Sequence, residues 1–315
     1  MVSTKHFLAV VGPTASGKTE VACEIARRMP VEAISCDSMQ VYESMPILTQ
    51  VPPQPVRKLL RLHLVSFVPP DEEYHAARFR NEALGLIDEI LKRGRTPLLV
   101  GGTGLYLRAL LDGLFEGEKA GAAKDEGLRK KLVSEEEKQG PGYLHERLKK
   151  LDLPAAEKIH PHDLRRIVRA LEVLCLTGRP FSSQKENRKG VRGDYAHRLF
   201  LLNRDRRDLY DRIDRRVDRM MDEGLVGEVR KLLRGNLSPT ARMALGIREI
   251  QSSLEGKRGL DEAREILKRH TRNYAKRQLS WFRHEKGVET VDVFPEESPS
   301  ETALKIMADY GQNKR

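Results

Sequence analysis

Residues 12–19 have the composition and spacing of a phosphate-binding loop. They read Gly-Pro-Thr-Ala-Ser-Gly-Lys-Thr, which fits the pattern G-x-x-x-x-G-K-T. A strand-like apolar run precedes them, and apolar residues at helical spacing follow, as this kind of loop requires. We therefore predict that a diphosphate or polyphosphate binds to Gly12, Pro13, Thr14, Ala15, Ser16, Gly17, Lys18 and Thr19. Backbone N–H groups and the helix N-terminus would face the anion, Lys18 would add a positive charge, and the Thr19 hydroxyl could reach a Mg²⁺ ion.

Two further segments could bring reactive side chains to the same place. Asp37 follows the apolar run 31–36, and the segment 101–104 (Gly-Gly-Thr-Gly) follows the apolar run 97–100. Ligands of a doubly wound sheet bind beyond the carboxyl ends of its strands, so both segments are expected near the phosphate-binding loop. Asp37 could coordinate Mg²⁺ through water, act as a general base or cap a helix. Thr103 could offer its hydroxyl to a ligand, or its glycine neighbours could simply form a tight turn.

Basic residues recur at helical spacing in the second half of the chain. One group, on a flank of the predicted helix 162–177, consists of Arg165, Arg166 and Arg169. A second stripe, which surrounds Trp281 and Phe282, consists of Arg269, Arg272, Lys276 and Arg283. Such stripes are typical of surfaces that bind a nucleic-acid backbone, and aromatic rings can stack on unpaired bases. The same pattern would also arise from a pair of solvated helix faces with the aromatic residues in the core.

The net charge of the chain points in the same direction. The 315 residues carry a formal charge of +11, and nearly all of the excess falls in residues 116–315. This asymmetry favours a polyanionic partner, although a solubilising basic surface would give the same count. Residues 212–220 are especially rich in arginine, and an arginine there that faces the phosphate-binding loop could clamp a departing diphosphate.

Composition also bounds where the protein works. The three cysteines are far apart in the sequence and form no Cys-x-x-Cys pair, so we expect neither zinc nor a disulfide framework. No apolar stretch has the length of a membrane span, and the N-terminus leads directly into the first predicted strand. We therefore predict a cytoplasmic protein with no membrane association.

The element pattern predicts an α/β fold. Strands and helices alternate in the first third, which indicates a P-loop parallel sheet flanked by helices. We predict a catalytic core formed by residues 1–115 and 196–290, whose C-terminal part is helical. A mostly helical subdomain is inserted at 116–195, and residues 291–315 are expected to form a polar tail. The proline-rich segment 46–70 is expected to be irregular.

Two features common in enzymes that cleave ATP are not evident in the sequence. The apolar strand at 198–202 ends in Asn203-Arg204 rather than in a metal-binding aspartate, and no kinase-type lid is apparent. This favours a loop that holds a diphosphate over one that cleaves ATP.

Taken together, these motifs resemble the tRNA dimethylallyltransferases, and specifically their bacterial type. The matching segments run in order from residue 8 to about 285. They are 12–19, 35–42 (Ser-Cys-Asp-Ser-Met-Gln-Val-Tyr), 100–106 (Val-Gly-Gly-Thr-Gly-Leu-Tyr), 166–173 (Arg-Ile-Val-Arg-Ala-Leu-Glu-Val), 177–180 (Thr-Gly-Arg-Pro), Asp205-Arg206 before Leu209-Tyr210, and 277–283 (Arg-Gln-Leu-Ser-Trp-Phe-Arg). The family pattern differs at 46–52 and at Ile247, where it has an aromatic residue.

The resemblance implies a reaction and roles for several residues. The family transfers a dimethylallyl group from dimethylallyl diphosphate to N6 of adenosine 37 in tRNA and releases diphosphate. By this resemblance Asp37 would be the catalytic base, Thr103 would help place the reacting groups, and Arg216 would contact the diphosphate held by the P-loop with Mg²⁺.

The resemblance also implies a tRNA-binding surface. That surface would comprise Asp37, Ser38, Met39, Gln40 and Thr103; Arg165, Arg166, Ile167, Val168 and Arg169; Arg242, Met243, Ala244, Leu245, Gly246 and Ile247; and Lys276, Arg277, Gln278, Leu279, Ser280, Trp281, Phe282 and Arg283. The insertion 116–195 would take part in binding, the anticodon stem-loop would be the bound part of the tRNA, and the protein would act as a monomer.

Three different functions also fit some of the same residues. An enzyme that prenylates free AMP or ADP would use the same loop, but it would not need two basic stripes. A P-loop kinase for a small molecule would use the loop to bind ATP. A nucleic-acid-binding ATPase, whose loop only switches conformation, would use both the loop and the basic stripes.

Overall fold

The centre of the fold is a parallel sheet of short, buried strands. In the computed structural model, which describes residues 5–114, 125–183 and 190–312, the sheet has the strand order β2-β3-β1-β4-β5. The strands are β1 His6–Val11, β2 Val31–Cys36, β3 Thr96–Gly101, β4 Ala196–Arg204 and β5 Val288–Val293. β1 and β2 are buried over almost their whole length, as is usual for strands covered on both faces. The predicted P-loop parallel sheet is confirmed.

The register of the sheet brings three loops to one edge. Val11 and Cys36, the last residues of β1 and β2, both pair with Gly101, the last residue of β3. The chain therefore leaves all three strands at the same level. The phosphate-binding loop, Asp37 and the glycine-rich segment 102–104 start side by side for this reason.

Helices make up most of the remaining regular structure of the described residues. They are α1 Lys18–Ala26, α2 Gln54–Leu60, α3 Ala76–Lys92, α4 Gly104–Leu111, α5 Glu126–Gln139, α6 Tyr143–Leu151, α7 Leu153–Ala156, α8 Leu164–Thr177, α9 Arg206–Asp222, α10 Leu225–Leu232, α11 Ile247–Leu254, α12 Leu260–Arg283 and α13 Pro299–Gln312. α9 shows how the sequence sets their orientation. Its buried residues recur at helical spacing and are Leu209, Ile213, Val217 and Met220. Asp205 caps its N-terminus by accepting hydrogen bonds from the backbone N–H groups of Arg207 and Asp208.

The chain divides into two units, of which residues 109–191 form the second. This unit contains α5 to α8 around a core of its own, in which Leu132, Leu144, Leu148, Ile167 and Leu171 are buried. The predicted insertion at 116–195 corresponds closely to this unit. Residues 116–124 and 184–189 of the predicted insertion lie outside the described residues.

The C-terminal segment differs from the predicted polar tail. β5 pairs in parallel with β4, and α13 packs against α1. Val291, Val293, Ala303 and Ile306 are buried in the same core as Ile25. An edge strand of six residues in which two adjacent polar residues, Glu289 and Thr290, interrupt the apolar pattern is a weak signal in a sequence, which is why the prediction missed it. The first unit therefore extends through residue 312 rather than ending near 290.

The segment 46–70 is less irregular than predicted. It contains α2, and its residue His63 exchanges backbone hydrogen bonds with Ala33 and Ser35 of β2. The segment thus covers the open edge of β2, a position at which unpaired backbone groups would otherwise face solvent.

Candidate active site

The phosphate-binding loop connects β1 with α1. Gly17 directly precedes α1 and has a left-handed backbone with φ = 97°, a conformation that favours glycine. Its carbonyl accepts the first helical hydrogen bond from Val21 N at 3.0 Å. The Ser16 hydroxyl is buried and has no hydrogen-bond partner among the described residues. Such a hydroxyl inside a loop of this type is available to an incoming anion.

Lys18 folds back over the loop that it follows. Its ammonium group donates hydrogen bonds to the carbonyl oxygens of Gly12 at 3.0 Å and Pro13 at 2.7 Å. Burial lowers the pKa of Lys18 to about 8, with the nearby charge of Arg216 acting in the same direction and that of Asp37 against it. Near pH 8 a large fraction of Lys18 is therefore neutral, and an anion in the loop would favour the charged form.

Three arginines bind successive residues of the phosphate-binding loop. Arg216 donates to the Thr14 hydroxyl at 3.0 Å, and Arg212 donates through Nε to the carbonyl oxygen of Ala15 at 2.8 Å. Arg204, at the end of β4, donates through Nε to the carbonyl oxygen of Ser16 at 2.9 Å.

Only one of these arginines was predicted from the sequence. Arg216 was assigned to the diphosphate, whereas Arg204 and Arg212 were not. The spacing of four residues between Arg212 and Arg216, which puts both on one face of α9, was the available signal. Burial lowers the pKa of both Arg212 and Arg216, as expected for cations packed against a loop.

Asp37 starts the turn that follows β2. One carboxylate oxygen, Oδ1, accepts hydrogen bonds from the backbone N–H groups of Met39 at 2.8 Å and Gln40 at 3.2 Å. The residues that follow form a turn and no helix begins there, so Asp37 caps a turn rather than the helix that the sequence allowed. Because Oδ1 accepts both bonds, Oδ2 keeps its capacity to accept a proton from a substrate.

Thr103 is joined directly to the Asp37 turn. Its backbone N–H donates to the carbonyl oxygen of Cys36 at 3.1 Å, and its hydroxyl accepts from the backbone N–H of Ser38 at 3.0 Å. A side chain at Gly101 would overlap the backbone of Cys36, so the two segments can approach this closely only with glycine there. Asp37 and Thr103, predicted as a catalytic pair, lie in one hydrogen-bonded group.

Tyr274 on α12 is a further member of this group. Burial, helped by the negative charge of Asp37, raises the pKa of Tyr274, while the nearby Thr103 hydroxyl acts against this rise. No local pattern in the sequence indicates this residue, because it lies far along the chain from both partners.

One face of α12 supports the loops of the site. Gln278, four residues after Tyr274, accepts a hydrogen bond from Thr14 N at 2.9 Å and donates one to Gly102 O at 2.8 Å. Trp281 places its indole ring against Gly104, where any side chain would overlap the ring. The guanidinium of Arg108 also lies over this ring, 4.5 Å from its centre. Gln278 and Trp281, which were predicted to contact tRNA, also support the loops of the site through these contacts.

Another set of α12 side chains lines a cavity of about 680 Å³ in the first unit. The cavity lies at the carboxyl ends of β4 and β5, and the residues that line it from α12 and its C-terminal end are Lys276, Leu279, Ser280, Arg283 and His284. Arg204 and Arg206 add positive charge to its wall, and Phe294, which is 54% exposed, adds an aromatic ring. The predicted stretch 276–283 is therefore divided between two faces of one helix.

The predicted tRNA-binding residues differ widely in exposure. Those with exposed side chains are Arg165, Arg166, Arg242, Met243, Lys276, Arg277, Ser280 and Arg283. Those of intermediate exposure are Asp37, Ser38, Met39, Gln40, Thr103, Arg169, Leu245, Leu279 and Trp281. The buried ones are Ile167, Val168, Ala244, Gly246, Ile247, Gln278 and Phe282. The buried residues lie inside the protein, so their side chains do not form part of an exposed tRNA-binding surface in this structure.

Arg169 has a structural partner in the second unit. It donates at 2.7 Å to Glu172, which is fully buried and is also held by Arg129 through two bonds of 2.7 and 2.8 Å. Burial alone would raise the pKa of Glu172, but the two guanidinium groups hold it below its ordinary value. Arg169 therefore stabilises the unit, whereas Arg165 on the same helix is exposed.

Two other predicted tRNA-binding stretches, 37–40 and 242–247, lie near each other because residues in or beside them are in contact. The hydroxyls of Tyr42 and Thr240 are 2.6 Å apart, and a side chain at Gly246 would lie only 2.7 Å from Leu48 Cδ1. Glu228 on α10 accepts hydrogen bonds from the N–H groups of Ile47 at 3.0 Å and Leu48 at 2.7 Å. These contacts fix the loop that follows Asp37 against the helical C-terminal part.

Two kinds of feature are absent from the described residues. No group of three or more His, Cys, Asp or Glu side chains within residues 5–114, 125–183 and 190–312 could hold a metal ion. In the same part of the chain, no helix is long and apolar enough to cross a membrane.

Comparison with known proteins relates this site to one family. A family model described as IPP transferase matches residues 40–285. The tRNA dimethylallyltransferase of Acetivibrio thermocellus is 46% identical over 280 residues, which cover 88% of each chain.

Two solved structures are similar over 98% of this chain. One is the full-length tRNA isopentenylpyrophosphate transferase of Bacillus halodurans, with a TM-score of 0.69, 37% identity and 96% of its own chain covered. The other is a eukaryotic dimethylallyltransferase acting on tRNA, with a TM-score of 0.82, 28% identity and 80% of its chain covered. With these matches over most of its length, the chain belongs to the IPP transferase family.

Proposed function

We propose that the protein transfers the dimethylallyl group of dimethylallyl diphosphate to N6 of adenosine 37 in tRNA, with release of diphosphate. The observation that carries this proposal is that Gln278 connects a cationic phosphate-binding loop to the strand-end loop of Thr103, which is hydrogen-bonded to the Asp37 turn. The names of the similar proteins support the same reaction.

The loop suits a leaving group that departs from carbon. As the bond between C1 of the dimethylallyl group and its diphosphate oxygen breaks, the electron pair stays on the oxygen and negative charge grows there. Lys18 and Arg216, together with the loop N–H groups, lie where they would stabilise that charge without rearrangement. Arg204 and Arg212 hold the loop carbonyls and keep further positive charge beside it.

The Asp37–Thr103 group suits the acceptor. N6 of adenine is a weak nucleophile, so its reaction needs alignment and a group that takes up its proton. In the proposed step N6 forms a bond to C1, the C1–O bond breaks, and Asp37 accepts the proton that N6 loses. The Thr103 hydroxyl, held by the backbone N–H of Ser38, would orient the amino group or the diphosphate.

The residues present fit a Mg²⁺ ion that arrives with the substrate. Mg²⁺ usually keeps several waters and binds substrate phosphates with few protein ligands, so a cluster of three acidic side chains is not required. We propose that the Thr19 hydroxyl, in the first turn of α1, would be its protein ligand; the buried Ser16 hydroxyl, which has no partner among the described residues, belongs to the same loop. Bound there, the ion would neutralise part of the diphosphate charge.

The tRNA-binding part of the proposal rests on the exposed basic residues. Arg165, Arg242, Lys276, Arg277 and Arg283 are exposed and could each contact a phosphate. Adenosine 37 lies in the anticodon loop, and a base in a loop is less costly to turn outward than one in a duplex. We propose that the anticodon stem-loop is the bound part, that one monomer suffices and that the protein acts in the cytoplasm.

One assay separates this function from nucleotide prenylation, phosphoryl transfer and ATP hydrolysis. The protein is incubated with labelled dimethylallyl diphosphate and ATP, and the acceptor is a tRNA transcript, AMP or none. A transcript in which guanosine replaces adenosine 37 is the matched control. Label in the adenosine 37 transcript alone is the expected result. Label in AMP would instead indicate a nucleotide prenyltransferase, and ATP consumption without label transfer would indicate a kinase or an ATPase.

A further inference from the structure

The side chain of Gln278 connects the two halves of the candidate active site. It is only 7% exposed, although it lies in a helix whose neighbours Lys276 and Arg277 are exposed. Its carbonyl oxygen accepts from Thr14 N in the phosphate-binding loop, and its amide nitrogen donates to Gly102 O. Both ends of the amide are therefore occupied by backbone groups of two different loops.

In the proposed function the two connected loops serve different substrates: the phosphate-binding loop holds the diphosphate, and the Thr103 loop faces the acceptor. Thr14 is also bound through its hydroxyl to Arg216, so Gln278 and Arg216 hold the same residue from two sides. Gly102 directly precedes Thr103, whose hydroxyl joins the Asp37 turn. The amide thus spans from the diphosphate side of the site to the acceptor side.

The geometry at Gly102 is specific for this contact. A side chain at Gly102 would overlap the amide nitrogen of Gln278 and would lie 2.9 Å from Gly12 O. Glycine is therefore needed for the amide to reach the backbone, and the amide is needed because it accepts at one end and donates at the other.

We propose that Gln278 is a positioning residue that fixes the distance between the phosphate-binding loop and the Thr103 loop. By doing so it holds C1 of the dimethylallyl group within reach of the acceptor nitrogen. This inference rests on the proposed function. In this inference Gln278 positions the reacting groups, whereas the sequence had indicated that it contacts tRNA.

Two substitutions test the two ends of the amide. Gln278→Glu keeps the size and an acceptor for Thr14 N but turns a carboxylate oxygen toward Gly102 O. Gln278→Met keeps the size and removes both bonds. Asn273→Asp is the matched control, because it makes the same amide-to-carboxylate change on α12 at an exposed position on a different face of the helix from Gln278.

The measurements are kcat, the KM for dimethylallyl diphosphate at saturating tRNA, and the Kd for tRNA without the diphosphate. We expect kcat/KM for dimethylallyl diphosphate to fall about 10- to 100-fold in both Gln278 variants, since small misplacements of reacting groups have effects of this size. The Kd for tRNA should stay within about twofold of wild type, as should all constants of Asn273→Asp.

Two results would overturn the inference. One is a tRNA Kd weakened about tenfold or more with kcat unchanged at saturation, which would make Gln278 an RNA contact. The other is wild-type kcat and KM in both variants. If Gln278→Glu shows no cooperative thermal unfolding, Gln278→Met alone decides. A wild-type protein that labels no tRNA would refute the proposed function instead, so the two failures are distinguishable.

Discussion

The lowered pKa of Lys18 leads to a prediction about diphosphate binding. The group is charged below pH 8 and neutral above it, because burial holds its pKa at about 8. An anion in the loop prefers the charged form. Affinity for dimethylallyl diphosphate should therefore be constant below pH 8 and should fall as the pH rises above that value.

The size of the effect follows from the position of the ammonium group. It lies 2.7 Å from Pro13 O inside the loop, so a bound phosphate oxygen would be roughly 4 Å or less away. At that distance and an effective dielectric constant near 20, one charge pair contributes about 4 kcal/mol, so the neutral form would bind far more weakly. The apparent Kd should then follow the protonated fraction and rise about tenfold at pH 9 and about a hundredfold at pH 10.

The assay is calorimetric titration of dimethylallyl diphosphate between pH 7 and pH 10, in buffers with different heats of ionisation. Proton uptake on binding should grow through the same range and identify the titrating group. Lys18→Arg is the control, since a guanidinium stays charged and also reports any titration of the ligand. A wild-type Kd that stays flat to pH 10, or that changes in parallel with Lys18→Arg, would refute the reasoning.

Three further predictions concern the acceptor, the RNA surface and the packing of the loops. Asp37→Asn should keep the Kd for tRNA within about twofold of wild type, because the amide oxygen still caps the turn, but turnover should fall at least about a hundredfold. Single-turnover kinetics test this prediction, and wild-type turnover would exclude Asp37 as the base. Arg165→Ala should lower the slope of log Kd for tRNA against log salt by about one, whereas Arg169→Ala should leave that slope unchanged and destabilise the protein by about 1–3 kcal/mol, because the buried Glu172 loses a partner. Equal salt slopes, with no change in thermal unfolding, would contradict this division of roles. Gly104→Ala should lower the melting temperature by several degrees and reduce kcat, because its methyl group would overlap the indole ring of Trp281. A wild-type melting temperature together with a wild-type kcat would show that the ring can move aside.

The parts of the site that could be predicted from sequence are those that local patterns specify. The phosphate-binding loop, Asp37 and Thr103 each follow an apolar strand closely. Because the strands are parallel and end at the same level, knowing that three segments follow strands was enough to place them together. This placement, beyond the carboxyl ends of parallel strands, does not depend on knowing which helices cover the sheet.

The parts that could not be predicted depend on contacts between distant segments. Arg204 and Arg212 reach the loop from residues almost two hundred positions later, and Gln278 reaches it from still further. In the sequence, the arginines of α9 look like exposed charges paired with neighbouring aspartates. Only tertiary packing distinguishes the face of a charged helix that meets a loop from the face that meets water.

The basic residues of the second half therefore form two structurally different sets. The sequence suggested one basic surface for a polyanion, but the structure separates the cations by their surroundings. Arg204, Arg212 and Arg216 are bound to the phosphate-binding loop and are partly or fully buried, so salt screens them little. Lys276 and Arg277 are exposed on α12, where charges act on a partner at longer range and salt weakens them. A single count of net charge could not separate cations that are bound to a buried loop from cations that face solvent, whereas burial and hydrogen bonding do separate them.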